Sequence, residues 1–438
     1  MRWTAVHDKI QAGPNRALRS AARRRIVLAG AIAAVGAMAL AGCSSSGTGS
    51  ASGGSGPNTL TVWHYFSDPN QVKVMTDYAT LFEKGQPSVK VTNVYIPYDQ
   101  MDSKLIASAG AKSGPDVVVF NGGDADNLEA AGTLAPITKQ WASYADKSQF
   151  PSSVVHSLSG TTYAVQGYVN LLGLWYNKDI LKKIGVTTPP TTLAELNTDM
   201  GKAVAAGDQG ITLCGLPQSQ GEWQAYPWLS SAGFNYAHPT ASALTAGLEV
   251  AQNWVKKGYL TAEATTYDQT VPFQKWAAGN VAFSENGNWQ IATAKSTAKF
   301  SYGVVPLPLG AAGKKVYLGG EAEGIGKYSK NPTLAWKYLQ ATYFSSAGEL
   351  ISLKDAGSIP ARADAAKSTE VSGNALLKPF ADSIQMYGTT YPDNAVKPAS
   401  VNTQQLQGGQ AWSSVIGGAS AQSAAATYLN TLPSLLNQ

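Results

Sequence analysis

The sequence predicts an α/β protein of two domains, each a mostly parallel, doubly wound sheet with flanking helices. Three observations point there. Strand-like and helix-like stretches alternate as βαβαβα between residues 59 and 134. The third of these strands, Asp116-Val117-Val118-Val119-Phe120, is a short unbroken apolar run, the composition of a strand covered on both faces. Hydrophobic content of 44% supplies cores, and the stretch from Cys43 to Gln438 is long enough for two domains.

The first element is a leader, 1–42. Arg16, Arg19, Arg23, Arg24 and Arg25 form a positive region, and Ile26 to Leu40 is a small apolar run, too short for a membrane span. Leu40-Ala41-Gly42-Cys43 resembles a bacterial lipobox, in which Cys43 receives lipid and becomes the first mature residue. The alternative is an ordinary signal peptide that contains a cysteine. Arg23-Arg24-Arg25 also permits twin-arginine export, though the residues after it fit that motif poorly. Residues 43–57 are mostly Ser, Gly, Ala and Thr, a flexible tether with a reach on the order of 20 Å.

The body opens with strand composition at Leu60 to Tyr65. From Asn70 to Lys84, Val72, Met75, Tyr78, Ala79 and Phe82 fall on one helical face. Val89 to Ile96 is β-branched, a second strand. Asp99 to Ala111 is helical until Gly114-Pro115 breaks it. After Phe120 come Gly122-Gly123 and a helix through Leu128, Ala131 and Leu134. Ligands of such sheets sit beyond the carboxyl ends of the strands, here at Trp63-His64-Tyr65 and Asn121-Gly122-Gly123-Asp124. Further on, Thr192 and Glu195 have capping-box spacing. Ala241 to Lys257 is an amphipathic helix, Asn331-Pro332 opens another, and Tyr428 to Leu436 closes the chain.

Charge and motif content exclude several functions. Seven of the 33 Lys and Arg residues lie in the leader against one acid, Asp8, so the body is nearly neutral. With Arg362 its one arginine, the body carries no electrostatic footprint for nucleic acid. His64, His156 and His238 are scattered, so no metal site is expected. No Gly-x-Ser-x-Gly, His-Glu-x-x-His or phosphate-binding Gly-rich Lys-Ser/Thr motif occurs. Cys214, in "GITLCGLP", reads as a small buried hydrophobe.

Several stretches resemble the extracellular sugar-binding group of bacterial ABC-importer solute-binding proteins, the group related to maltose-binding protein. They are "GPDVVVFNGG", "LEAAGTLAPIT", "YAVQGYVNLLGLWYNKDILKKIGVTTPPTTLAEL", "FQKWAAGNVAFSENGNWQI", "GVVPLPLG", "LGGEAEGIGKYSKNPTLAWKYL" and "GSIPARADA", in the family's order. Ser284-Glu285, Glu321 and Glu323 depart from the family's pattern. The resemblance implies two α/β lobes joined by a hinge that the chain crosses more than once: lobe 1 at 58–165 and 319–365, lobe 2 at 166–318 and 366–438. It implies a monomeric receptor without cofactor that takes a sugar, a di- or oligosaccharide, into the cleft. Its partners would be the ABC permease subunits, and its place the outer face of the cytoplasmic membrane, held by the lipid anchor. A lipid-anchored carbohydrate-active hydrolase, or the same fold binding a non-sugar solute, are the alternatives.

Ten tryptophans fall outside the leader. Aromatic planes cover the C–H face of a pyranose, and carboxylates and amides engage its hydroxyls. Candidate ligand residues are therefore Trp63, His64, Asn121, Asp124, Glu222, Trp223, Trp228, Asn288, Trp289, Glu321 and Arg362. Core packing competes for Trp63, His64, Trp223 and Trp228, helix capping for Asp124, a solvated hinge position for Glu321, and a surface ion pair for Arg362. Trp175, Tyr176, Trp254 and Trp336 are expected in the core.

Overall fold

The computed structural model describes residues 58–437. The expected leader, Cys43 and the tether lie outside them. Two lobes are built on two sheets. In the first lobe the strand order is Lys90–Tyr95, Thr59–His64, Val117–Asn121, Glu321–Ile325, Thr161–Val165, Val155–Leu158. In the second it is Tyr302–Val305, Leu172–Asn177, Val281–Gly287, Gln209–Thr212.

Both sheets are mixed, which corrects the mostly parallel expectation. The opening βαβαβ run does pair in parallel, Thr59–His64 against both Lys90–Tyr95 and Val117–Asn121. Glu321–Ile325 then enters from the other lobe and pairs antiparallel with Val117–Asn121. A two-residue turn, Ser159-Gly160, with φ of 51° and 78°, makes an antiparallel hairpin of the last two strands. In the second sheet only Gln209–Thr212 and Val281–Gly287 run parallel among its pairs.

Alternation along Val117–Asn121 explains its unbroken apolar composition. Val117 and Val119 join Leu60, Val62 and Tyr338 on one face, while Val118 and Phe120 join Trp63 and Ile96 on the other. The helix Pro69–Gly85 starts where the Asp68 side chain accepts from Asn70 N, and buries Val74, Met75, Tyr78 and Phe82. Val72, expected with them, is exposed. The helix expected through Leu134 stops at Ala130, where Gly132 turns the chain at φ 67°. Thr192 and Glu195 form the capping box of Leu193–Ala205. Trp175, Trp228, Trp254, Trp276 and Trp412 are fully buried in the second lobe. Cys214 is buried there too, its thiol pushed up by burial.

The crossings between the lobes bond to one another. Asn170 and Gly319 exchange both backbone bonds, at 2.9 and 2.8 Å. Ile359-Pro360 pairs antiparallel with Tyr168-Val169. The second lobe touches the first again beside the turn Gly122–Asp124. There a Cβ on Gly123 would fall 2.0 Å from Tyr391 Cε1, and Asn402 Nδ2 donates to Asp102 Oδ2 at 3.3 Å.

Candidate functional site

A recess of about 480 Å³ draws its walls from both lobes and the crossings. The end of the strand Val117–Asn121 supplies Asn121, and residues past the other first-lobe strands supply Tyr65, Asp68 and Tyr98. The crossings supply Asn170, Gly320 and Glu321. The second lobe supplies Gln220, Trp223, Asp268, Gln269, Trp289, Gln290 and Tyr391.

Local chain chemistry fixes these groups. Asn121 Oδ1 accepts from Gly123 N at 3.1 Å and its Nδ2 donates to Tyr98 Oη at 3.0 Å. Tyr98 meets Tyr65 edge-on, with ring centroids 4.9 Å apart. Asp68 caps the helix Pro69–Gly85, and Asp268 Oδ1 accepts from Thr270 N and Val271 N at 2.8 and 3.0 Å in the turn ahead of the helix Val271–Ala277. Gln220 Oε1 accepts from Gln269 N at 3.0 Å, joining two walls.

Trp223 stands edge-on to Tyr391 at 4.7 Å. It lies so close to Gly319 that a Cβ there would come within 2.1 Å of its Cη2, so glycine alone lets the ring sit against the crossing. Trp289 lies over Gly287 in the same way, where a Cβ would fall 1.8 Å from Cζ3. Glu321 is 6% exposed. Its Oε1 accepts from Tyr65 Oη at 2.8 Å. Burial holds its carboxyl above the ordinary glutamate range, and the nearby Tyr168 and Tyr65 hydroxyls pull it back down.

Of the sequence candidates, Asn121, Trp223, Trp289 and Glu321 line the recess. The other seven have their partners elsewhere. Trp63 packs with Ile96, Val118 and Phe120, with Lys104 Nζ 5.6 Å from its ring centroid. His64 is buried; its Nδ1 accepts from Phe66 N at 3.2 Å, and burial lowers its pKa to about 4. Asp124 makes no cap bond; it is half-buried beside Asp102, and desolvation first, then that like charge, raises its pKa. Glu222 is enclosed by Tyr236, Tyr317 and Gln404, which donate to Oε1 at 2.9, 3.2 and 3.2 Å, and burial brings its pKa up to about 7. Trp228 Nε1 donates to Glu285 Oε2 at 2.8 Å inside the second-lobe core. Asn288 stitches the hinge: Oδ1 accepts from Leu171 N at 2.9 Å, and Nδ2 donates to Asn170 Oδ1 at 2.8 Å and Gly357 O at 2.9 Å. Arg362 donates to Asp364, Asp146 and Phe344 O.

Sequence reasoning missed Tyr98, Tyr391, Asp68 and Asp268 as wall residues. Asp68-Pro69, a cap followed by proline, was a signal for a helix start that opens onto the cleft. Among the described residues, no Lys, Arg or His lines the recess. None form a group of three or more metal-ligating side chains, and no helix is long and apolar enough to cross a membrane. Three wall carboxylates, amides and aromatic rings, with Tyr65, Tyr98 and Trp289 half-covered and Trp223 and Tyr391 buried, suit an uncharged ligand rich in hydroxyls better than an anion.

The family model for bacterial extracellular solute-binding proteins matches residues 77–379. The maltodextrin-binding protein MdxE of Bacillus subtilis is 25% identical over 384 residues, 84% of this chain and 86% of that protein. A Deinococcus radiodurans protein named "Probable ABC transporter-binding protein" is 30% identical over 207 residues, a match that spans 42% of this chain and only 48% of that protein. The GacH receptor of Streptomyces glaucescens, solved unliganded and with acarbose, superposes with a TM-score of 0.76 at 25% identity, covering 86% of this chain and 98% of that one.

Proposed function

The chain belongs to the bacterial extracellular solute-binding protein family, and on that premise we propose that it captures a di- or oligosaccharide in the recess and delivers it to an ABC import permease. The observation that carries this reading is the wall itself. Trp223, Trp289, Tyr65 and Tyr391 offer ring surface, and Asn121, Gln269, Asp268 and Glu321 offer oxygen and amide groups. Ring faces cover the C–H side of a pyranose, and the polar groups would go unpaired with an analogue lacking its hydroxyls. The named relatives that bind maltodextrin or acarbose support a glycan ligand.

On this reading the lipid on Cys43 holds the body at the outer face of the cytoplasmic membrane, and the tether lets it meet the permease. It works as a monomer and as a receptor, with no catalytic residue. The walls Asn121, Trp223, Trp289 and Glu321 are its ligand residues. A thermal-shift screen of the purified body against a sugar panel tests it, because ligand held by the native state alone raises the melting temperature by mass action. A saturating rise with one sugar class is expected. A rise only with an anionic solute such as sn-glycerol 3-phosphate would favour the non-sugar reading.

A further inference from the structure

Glu222 precedes the wall residue Trp223 on the helix Ser219–Ser231 and is wholly buried. Its two oxygens are served unequally. Oε1 accepts from Tyr236 Oη, Tyr317 Oη and Gln404 Nε2, while Oε2 has no hydrogen-bond partner. One of those donors leads to the recess. Tyr317 is not a wall residue, yet its ring centroid lies 5.7 Å from that of Trp223 and 4.5 Å from that of Tyr391, and both of those line the recess. Tyr317 also stacks on Tyr226 at 3.8 Å, with the ring planes 7° apart. Tyr226 Oη in turn donates to Asp393 Oδ2, in the segment just past Tyr391, at 3.3 Å. The strand Val316–Leu318, which carries Tyr317, pairs with Gly388–Thr390, which leads directly into Tyr391. It ends at Gly319, the glycine against which Trp223 lies. Both wall rings therefore rest on Tyr317, and the Tyr317 hydroxyl rests on Glu222.

We propose that Glu222 is a positioning residue of the recess, acting through Tyr317 to hold Trp223 and Tyr391, and that protonating it loosens that hold. The inference rests on the sugar reading above and adds a regulation of the same site.

The chemistry gives the direction. Oε1 is already occupied by three donors, so an added proton goes to Oε2, and Oε1 becomes the carbonyl oxygen of a neutral acid. Hydrogen bonds accepted by a carboxylate are roughly twice as strong as those accepted by a neutral group, so the tie to Tyr317 weakens. The groups around Glu222 are Tyr226 on its own helix, Tyr236 from the loop after that helix, Tyr317, Tyr391 and Asp393, and Gln404 and Tyr428 from the helices Val401–Ile416 and Ala421–Leu429. No cation is among them. Burial raises the carboxyl, the three donors pull it back, and it titrates at about 7. A ligand packed on Trp223 and Tyr391 orders Tyr317 against Glu222 and favours the carboxylate, so binding lowers that pKa and releases protons. Affinity is full above it and falls as pH drops through it.

The test is calorimetric titration of the wild type, Glu222→Gln and Tyr317→Phe with maltotriose and mannotriose, from about pH 5.5 to about pH 8.5, on either side of that value. Gln keeps an acceptor at Oε1 and cannot ionise, and Phe keeps the ring and loses the hydroxyl; cooperative melting shows that each folds. Wild-type affinity is expected to fall roughly 3- to 10-fold across the window as pH drops. Glu222→Gln should bind with the weaker, acid-side affinity at every pH, and Tyr317→Phe should lose both affinity and pH dependence. A flat wild-type profile overturns the inference and leaves the sugar reading standing. So does a Glu222→Gln protein that keeps the wild-type pH dependence, or variants that melt lower yet bind as the wild type does, the mark of a merely structural role. If neither trisaccharide binds the wild type at any pH, the sugar reading falls and this inference falls with it.

Discussion

Replacing Asn288 with alanine tests the assignment of this residue to the hinge. Three partners lose their bonds at once: Leu171 N, Asn170 Oδ1 and Gly357 O, all buried. A net hydrogen bond contributes about 0.5–1.5 kcal/mol, and a buried group left unpaired costs about 1–3 kcal/mol. About 3 kcal/mol is the expected loss. Unfolding entropy is about 2.1 cal/mol/K per residue, so roughly 380 described residues give about 0.8 kcal/mol/K. The melting temperature should therefore fall by about 4 °C in differential scanning calorimetry. Affinity for the best sugar changes only as far as the crossings shift. A fall under about 1 °C, joined to a large loss of affinity, would refute the reasoning and return Asn288 to the ligand.

Trp289→Ala should weaken sugar binding by roughly 30-fold or more, the loss typical of a truncated aromatic anchor, while the protein still melts cooperatively; unchanged affinity would remove Trp289 from the site. Burial raises Glu285 from 4.5 to about 8. Between those values the folded chain holds more protons than the unfolded one, so stability declines as pH rises from about 4.5 to about 8. Glu285→Gln cannot ionise and should flatten that decline, by a few kcal/mol at most at ~1.4 kcal/mol per unit; an identical pH–stability profile would contradict it. Cys43→Ser should move the protein from the membrane fraction to the soluble one on cell fractionation, and continued membrane retention would count against the lipid anchor.

Much of the first lobe was legible because each strand carries its own pattern. The apolar run at 116–120 had to be covered twice, and it is. The capping box at Thr192 is a local device that tertiary packing left alone. The sheet directions were not legible, because Glu321–Ile325 arrives from the far lobe and no local feature of "GGEAEGIG" records that.

The site was half legible for a related reason. The end-of-strand rule pointed to Trp63-His64-Tyr65, but only the residue past the strand, Tyr65, reaches the recess. Trp63 and His64 are still within the strand and are packed in the interior. In "QGEWQAYPW" every position from Glu222 to Trp228 is buried, so periodicity could not separate Trp223, at the recess, from Trp228 in the core. Glu222 looked like a sugar ligand in sequence, yet Tyr236, Tyr317 and Gln404 come from three distant segments to enclose it.

The most direct test of the account is to mix the protein with a radiolabelled form of whichever sugar gives the largest thermal shift, then count bound label and analyse it by chromatography. The account predicts saturation at one sugar per chain, recovered unbroken after denaturation. Binding that never saturates, or label recovered as shorter products, would contradict it.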